Sequence, residues 1–176
     1  MIESTIAELT GESSAAATTD GCGTPLFAYS LRATALSYAR LVAAAPESPE
    51  GRVAAAMQAH PDLVGGEDRD VTAMMRAVPG LVAKDGAEAV QLMGLKVNGV
   101  GIGVAVKISD GGDRARLPIS AGILRALGVP ADALATLPAT NILGGGRPVG
   151  ELRATAAATA VLEELTRSAA AQTGAK

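Results

Sequence analysis

Only three of the 176 residues are aromatic, Phe27, Tyr29 and Tyr38, and no feature limits the possible folds of this chain more. Hydrophobic residues nevertheless make up 48% of the sequence, most of them Ala, Val and Leu. The interior must therefore be assembled from small aliphatic groups, which predicts an alanine-rich core of modest stability. A chain of this length and apolar content is expected to form one globular domain with a real core.

The same scarcity restricts function. The formal net charge is −3, the lysines and arginines are scattered, and hardly any aromatic ring is available to stack on a base. Nucleic acid is therefore excluded as a partner, and small molecules are expected instead. No apolar run approaches the roughly 18–20 residues that span a bilayer. The start Met1-Ile2-Glu3-Ser4-Thr5 has neither a basic n-region nor a continuous hydrophobic h-region. Both features predict a cytoplasmic protein with no membrane association. The single cysteine, Cys22, cannot form an internal disulfide, so it is either a buried thiol or a working one.

Periodicity predicts helices flanking a partly antiparallel sheet. A short helix is expected over Ile2 to Leu9, stopped by Thr10-Gly11-Glu12-Ser13-Ser14, with a linker or loop up to Asp20. Leu31, Ala35, Tyr38 and Leu41 recur at helical spacing within a segment from Leu26 to Ala45. Further helices are predicted over Glu50 to Ala59, Asp70 to Val78 and Ile119 to Leu127, and strands over Leu81 to Lys84, Val90 to Leu95 and Gly101 to Ile108. Gly144-Gly145-Gly146 reads as a flexible turn. The stretch from Val149 to Leu165 reads as helical, with fraying from Ala169 to Lys176.

Two clusters carry candidate chemistry. In Lys84-Asp85-Gly86-Ala87-Glu88, between two predicted strands, a partly desolvated Lys84 would have a lowered pKa and could serve as a general base. Gly86 would let the backbone approach a ligand, and Glu88 could bind a substrate ammonium or orient Lys84. The same residues also fit a solvated hairpin turn with an ordinary surface lysine. In Asp20-Gly21-Cys22-Gly23-Thr24-Pro25, two glycines make a tight loop that is expected just before a helix. There the helix amides would favour a thiolate, a soft ligand for zinc. A buried apolar cysteine fits that pattern equally.

Other motifs read as structural. His60, the only histidine, sits where a helix ends, so a cap or a packed side chain explains it better than a nucleophile–base pair with Cys22. Gly99-Val100-Gly101-Ile102-Gly103 superficially suggests a dinucleotide loop, but Val104 to Ile108 continues it as strand rather than helix. These are expected to be close-packed strand glycines.

Taken in order, four motifs closely resemble the C-terminal half of the thermolabile, Rhizobium-type L-asparaginase II family. They are Asp20-Gly21-Cys22-Gly23-Thr24-Pro25-Leu26-Phe27-Ala28, Met57-Gln58-Ala59-His60-Pro61-Asp62-Leu63-Val64-Gly65-Gly66 with Asp70 to Val78, Ala83-Lys84-Asp85-Gly86-Ala87-Glu88, and Val106-Lys107-Ile108-Ser109-Asp110-Gly111. The likeness covers residues 1–153 as one asparaginase II-like unit, leaving 154–176 as an Ala-rich helix and tail. It implies an α/β (α+β) fold, the C-terminal part of an αβα sandwich resembling serine β-lactamases and penicillin-binding proteins. It also implies hydrolysis of L-asparagine to L-aspartate and ammonia by an amidohydrolase.

The resemblance gives Lys84 as the lysine of a second Ser–Lys pair, Asp20 as a substrate contact and Cys22 as one zinc ligand. The family motif usually continues Gly-Ala-Glu-Gly, whereas Ala89 follows Glu88 here, a change expected to tighten the backbone near the ligand. Family members are roughly twice as long. Their N-terminal half supplies the nucleophilic serine in Ser-x-x-Lys and a Cys-x-x-Lys segment that completes the zinc site. Neither pattern occurs in this chain. The expectation is thus a fragment, inactive alone, that pairs with a missing N-terminal half or forms a homo-oligomer to cover an exposed strand edge and apolar helix face. A non-catalytic substrate-binding or assembly module derived from the same fold is the alternative.

Overall fold

The structure is a computed structural model that describes residues 2–173. The elements run α1 (Ile2–Thr10), β1 (Ala16–Thr19), β2 (Pro25–Ala28), α2 (Leu31–Ala43), α3 (Pro49–Ala59), α4 (Pro61–Gly65), α5 (Asp70–Ala77), β3 (Val82–Gly86), β4 (Val90–Val97), β5 (Val100–Lys107), α6 (Arg116–Ala126), α7 (Ala131–Leu134), β6 (Asn141–Gly144), β7 (Arg147–Glu151) and α8 (Ala156–Thr173). Strands β3-β4-β5 form the central sheet, while β1-β2 and β6-β7 are separate two-stranded ribbons. Every pairing is antiparallel, where the sequence suggested a partly antiparallel sheet.

The central sheet follows from alternation and one tight turn. Asn98 and Gly99 occupy the left-handed region at φ 51° and 81°, which gives the two-residue connection that brings Val97 opposite Val100. In the resulting register Gly94 faces Gly103 and Met93 faces Val104. The two faces of the sheet are therefore unlike, because neighbouring residues of a strand point in opposite directions.

On one face glycines let α2 lie directly on the strands. A Cβ at Gly103 would stand 1.8 Å from the Ala35 carbonyl oxygen, one at Gly101 2.4 Å from that of Ala39, and one at Gly94 2.7 Å from that of Tyr38. Val42, Ala54 and Val82 are buried on this side, with Tyr38, Leu41 and Met57 packed around them. Helix α2 is fixed at its start as well: the Ser30 side chain accepts a hydrogen bond from Ala33 N at 3.1 Å, and Glu12 accepts one from Ser30 N at 2.6 Å.

The opposite face carries the main core. Val71, Met74 and Met75 of α5 and Ile123 and Leu124 of α6 meet Leu81, Ala83, Met93 and Leu95. Its largest fully buried apolar side chains are Met74, Leu81, Met93 and Leu124, so methionine supplies the bulk that aromatics do not. The described chain thus has helices on both faces of an antiparallel sheet, a mixed α and β architecture.

Several local expectations are corrected. The linker before Asp20 contains β1, and the stretch from Leu26 to Ala28 is β2, because residues 16–19 pair with 25–28. Helix α2 consequently begins at Leu31 behind its Ser30 cap, not at Leu26. Strand β3 extends to Gly86, so Lys84 lies within the strand. Val149 belongs to β7, since Gly145 and Gly146 turn the chain at φ 55° and 76° into a hairpin, and the terminal helix starts only at Ala156. The predicted fraying from Ala169 falls partly in α8, which continues to Thr173, and residues 174–176 lie outside the described residues. Among the described residues no helix is long and apolar enough to cross a membrane.

The strand glycines fall into two classes with different expected costs. Gly103→Ala should destabilise by about 3 kcal/mol or more, because its methyl collides with helix backbone that cannot rotate away. Gly99→Ala meets nothing within 4 Å and should cost only about 1 kcal/mol, from its φ of 81°. Urea midpoints of the two variants check the order, and equal losses would mean that α2 does not rest on the strand.

Candidate functional site

The highest concentration of charge lies at the end of β3. Lys84 Nζ donates to Asp85 Oδ1 at 2.6 Å and to the Asp85 carbonyl oxygen at 3.0 Å. The other carboxylate oxygen, Asp85 Oδ2, accepts from Arg69 Nη2 at 2.5 Å and lies 3.3 Å from Arg116 Nη1. Arg116 opens α6, and its side chain is only 4% exposed. It donates to Asp70 Oδ2 at 2.7 Å and has Asp113 Oδ1 3.4 Å from its Nε. Three cationic and three acidic side chains are thus gathered from β3, α5, α6 and the segments before the two helices.

This neutral set decides the ionisation of Asp85. Burial by itself would push its carboxyl up, but hydrogen bonds from Lys84 and Arg69 and the Lys84 charge outweigh that and hold it well below the usual carboxylate range. Asp70 begins α5, where a carboxylate is favoured by the helix dipole, and Arg116 ties it to α6. Beside them Gln91, fully buried and opposite Asp85 in the sheet, donates to the Leu92 carbonyl at 3.1 Å and to that of Lys84 at 3.4 Å. The backbone under Lys84 is therefore supported from the neighbouring strand.

Lys84 is partly buried, its side chain 43% exposed on the outer strand of the sheet, and it is ion-paired. Among the described residues its ammonium makes no hydrogen bond to a hydroxyl group; Asp85 is its partner. The turn after β3 is tight: Glu88 and Ala89 both sit in the left-handed region, at φ 56° and 57°. Ala89 thus occupies a conformation that favours glycine, with its methyl fully buried. Gly86 is exposed, and a Cβ there would lie 3.2 Å from that of its strand partner Val90. Glu88 is exposed and does not orient Lys84. Its carbonyl oxygen accepts from Lys107 Nζ at 2.6 Å, and among the described residues no hydrogen bond or ion pair engages its carboxylate.

Asp20 and Cys22 belong to a different place. They form the tip of the β1-β2 hairpin, exposed from Asp20 to Thr24, so Cys22 does not stand at a helix start as the spacing suggested. Asp20 Oδ1 accepts hydrogen bonds from Cys22 N at 2.8 Å and Thr24 N at 2.9 Å, which makes it the residue that shapes the turn. Among the described residues no hydrogen bond or ion pair links this tip to the Lys84 cluster, and no group of three or more His, Cys, Asp or Glu side chains could hold a metal. Cys22 is an exposed free thiol, and the Asp20 carboxylate beside it is committed to backbone amides. His60 is an exposed residue between α3 and α4 whose N–H donates to Ala56 O at 3.1 Å, in keeping with a helix end.

The residues that the sequence did not reveal are Asp85, Arg69, Asp70 and Arg116 as a unit. Asp85 stands beside Lys84 in the chain, and its acidity was visible there. Arg116 is 46 residues from Asp70, and nothing in the spacing announces that pair.

The depressed Asp85 ionisation sets a pH dependence. A carboxyl lowered in the folded state contributes stability that is fully present above its unfolded value near 4 and is lost as pH falls toward the folded value. Asp85→Asn should therefore be less stable than the parent by about 3 kcal/mol at neutral pH, since it leaves buried Arg116 short of a counter-charge. The gap should narrow as pH drops below about 4. Urea midpoints of both chains between about pH 3 and pH 7 check this, and a gap that does not change with pH would contradict it.

Individually, no curated protein matches the chain. The sequence model of L-asparaginase II does match, over residues 1–154, which takes in the hairpin tip, the central sheet, the Lys84 cluster and the β6-β7 ribbon. With a match over most of its length, the chain belongs to the L-asparaginase II family.

Proposed function

We propose that this chain is the C-terminal part of an asparaginase-type amidohydrolase, converting L-asparagine and water to L-aspartate and ammonia in the cytoplasm, and that its nucleophile is a serine outside these 176 residues. The observation that carries the reading is family membership over 154 residues together with a half-exposed Lys84 on the sheet's outer strand. Its ammonium faces no hydroxyl among the described residues. As the neutral amine, Lys84 would accept the proton of a serine hydroxyl as that oxygen attacks the carbon of the substrate's side-chain amide, and would then pass the proton to the departing nitrogen. Ammonia leaves, and water then hydrolyses the acyl-enzyme.

In this reading β3-β4-β5 and its flanking helices are part of a sandwich like that of the serine β-lactamases. The outer strand β5 has no second neighbour among the described residues, which suits completion by an N-terminal half or a second copy. Glu88, with its carboxylate unengaged, suits the substrate ammonium, Gly86 leaves room beside it, and Asp20 would reach substrate only from the hairpin tip. Zinc at Cys22 would need its other ligands from outside this chain. The second reading, a non-catalytic substrate-binding or assembly module, is favoured by the same lack of a hydroxyl partner for Lys84.

The test is ammonia release from L-asparagine by the chain alone and with the serine-bearing N-terminal half of an L-asparaginase II family member. The chain alone should give background only, and the mixture should be active. Lys84→Ala should lower that activity by about 10²–10⁴-fold. Activity of the chain alone would place a nucleophile within it. Inactivity of the mixture, with L-asparagine still bound, would favour the binding module.

A further inference from the structure

Lys84 and Asp85 are consecutive on β3, so their side chains leave the strand on opposite faces. Their charged ends nevertheless meet at 2.6 Å. Because β3 is an outer strand, the lysine stem can fold back over its free edge. The two oxygens of Asp85 have separate partners. Oδ2 is taken by Arg69 at 2.5 Å and approached by Arg116 at 3.3 Å, while Oδ1 is left for Lys84. Arg116, with its side chain 4% exposed and bonded to Asp70, cannot follow a moving carboxylate. Asp85 is thus fixed from behind and offers one oxygen to a side chain that has no other side-chain partner among the described residues.

We propose that Asp85 is a positioning residue for Lys84: the arginines immobilise Oδ2, and Oδ1 then holds the Lys84 ammonium at one place on the β3 edge. The proposal rests on the reading of Lys84 as the proton-transfer group. An untethered lysine on a strand edge samples many rotamers, whereas a tethered one meets an incoming hydroxyl from a set position. Asp85 need not touch the substrate for this.

The test is ¹H–¹⁵N spectroscopy of the side-chain ammonium groups of the four lysines, Lys84, Lys96, Lys107 and Lys176, with the Lys84 signal assigned by Lys84→Arg. In the parent chain the Lys84 ammonium should be more restricted than that of exposed Lys96. Asp85→Asn should release it to the mobility of Lys96, and Asp85→Glu should retain part of the restraint. Should Asp85→Asn fail to fold, Arg69→Ala serves instead: it removes one anchor, leaves Arg116, and should loosen Lys84 partially. A Lys84 as mobile as Lys96 in the parent chain overturns the proposal without any variant.

In the active mixture, Asp85→Asn should lower kcat by about 10–100-fold with KM within about twofold, and Asp85→Glu should recover part of the loss. If Lys84→Ala leaves activity intact, the reading of Lys84 fails. If it abolishes activity while Asp85→Asn changes neither kcat nor the Lys84 signal, only the positioning role fails.

Discussion

At Gly94, Gly101 and Gly103 helix α2 lies closer to the central sheet than a side chain would permit, and the rest of the architecture is arranged around that contact. Gly94, Gly101 and Gly103 stand under the carbonyls of Tyr38, Ala39 and Ala35. A chain with three aromatic residues cannot fill a thick interlayer space, so it removes the space on one face and fills it with methionine and leucine on the other. Backbone packed on backbone keeps interior density without large side chains. It also admits no compromise, because a helix carbonyl does not move aside as a side-chain end does.

That rigid platform is what makes the charged end of β3 usable. Asp85 leaves the sheet on the core side, where α5 and α6 bring Asp70 and Arg116 to meet it, and Lys84 leaves on the other. An arginine with a 4% exposed side chain is tolerated only with acidic partners, and here they come from three separate segments. The same arginine therefore joins the starts of α5 and α6 to the strand that carries Lys84. Stability and site geometry are not independent here: the pairs that neutralise Arg116 also set where Asp85 presents its free oxygen.

Much of the fold was legible in order and kind. Helices near 2–9, 50–59, 70–78 and 119–127 and strands near 81–84, 90–95 and 101–108 are present with shifts of a few residues at their ends. The strand glycines were read correctly at Gly101 and Gly103, while Gly99 proved to be the turn itself. The failures came where short exposed segments pair with each other. Residues 16–19 and 25–28, and 141–144 and 147–151, form exposed ribbons with no buried face. Hydrophobic alternation, the usual mark of a strand, is absent when neither side is covered.

The sequence by itself determined the family, the order of the elements, the thinness of the interlayer packing and the presence of Lys84, Asp85, Gly86 and Glu88 in one short run. Local spacing suffices for these, because period and composition are properties of neighbouring residues. Only the tertiary structure decided that Asp20 and Cys22 share an exposed hairpin tip, and that Lys84 is paired with the next residue. It alone brought Arg116 and Asp70 to that carboxylate, since ion pairs form between side chains that the folded backbone makes adjacent, whatever their separation along the chain.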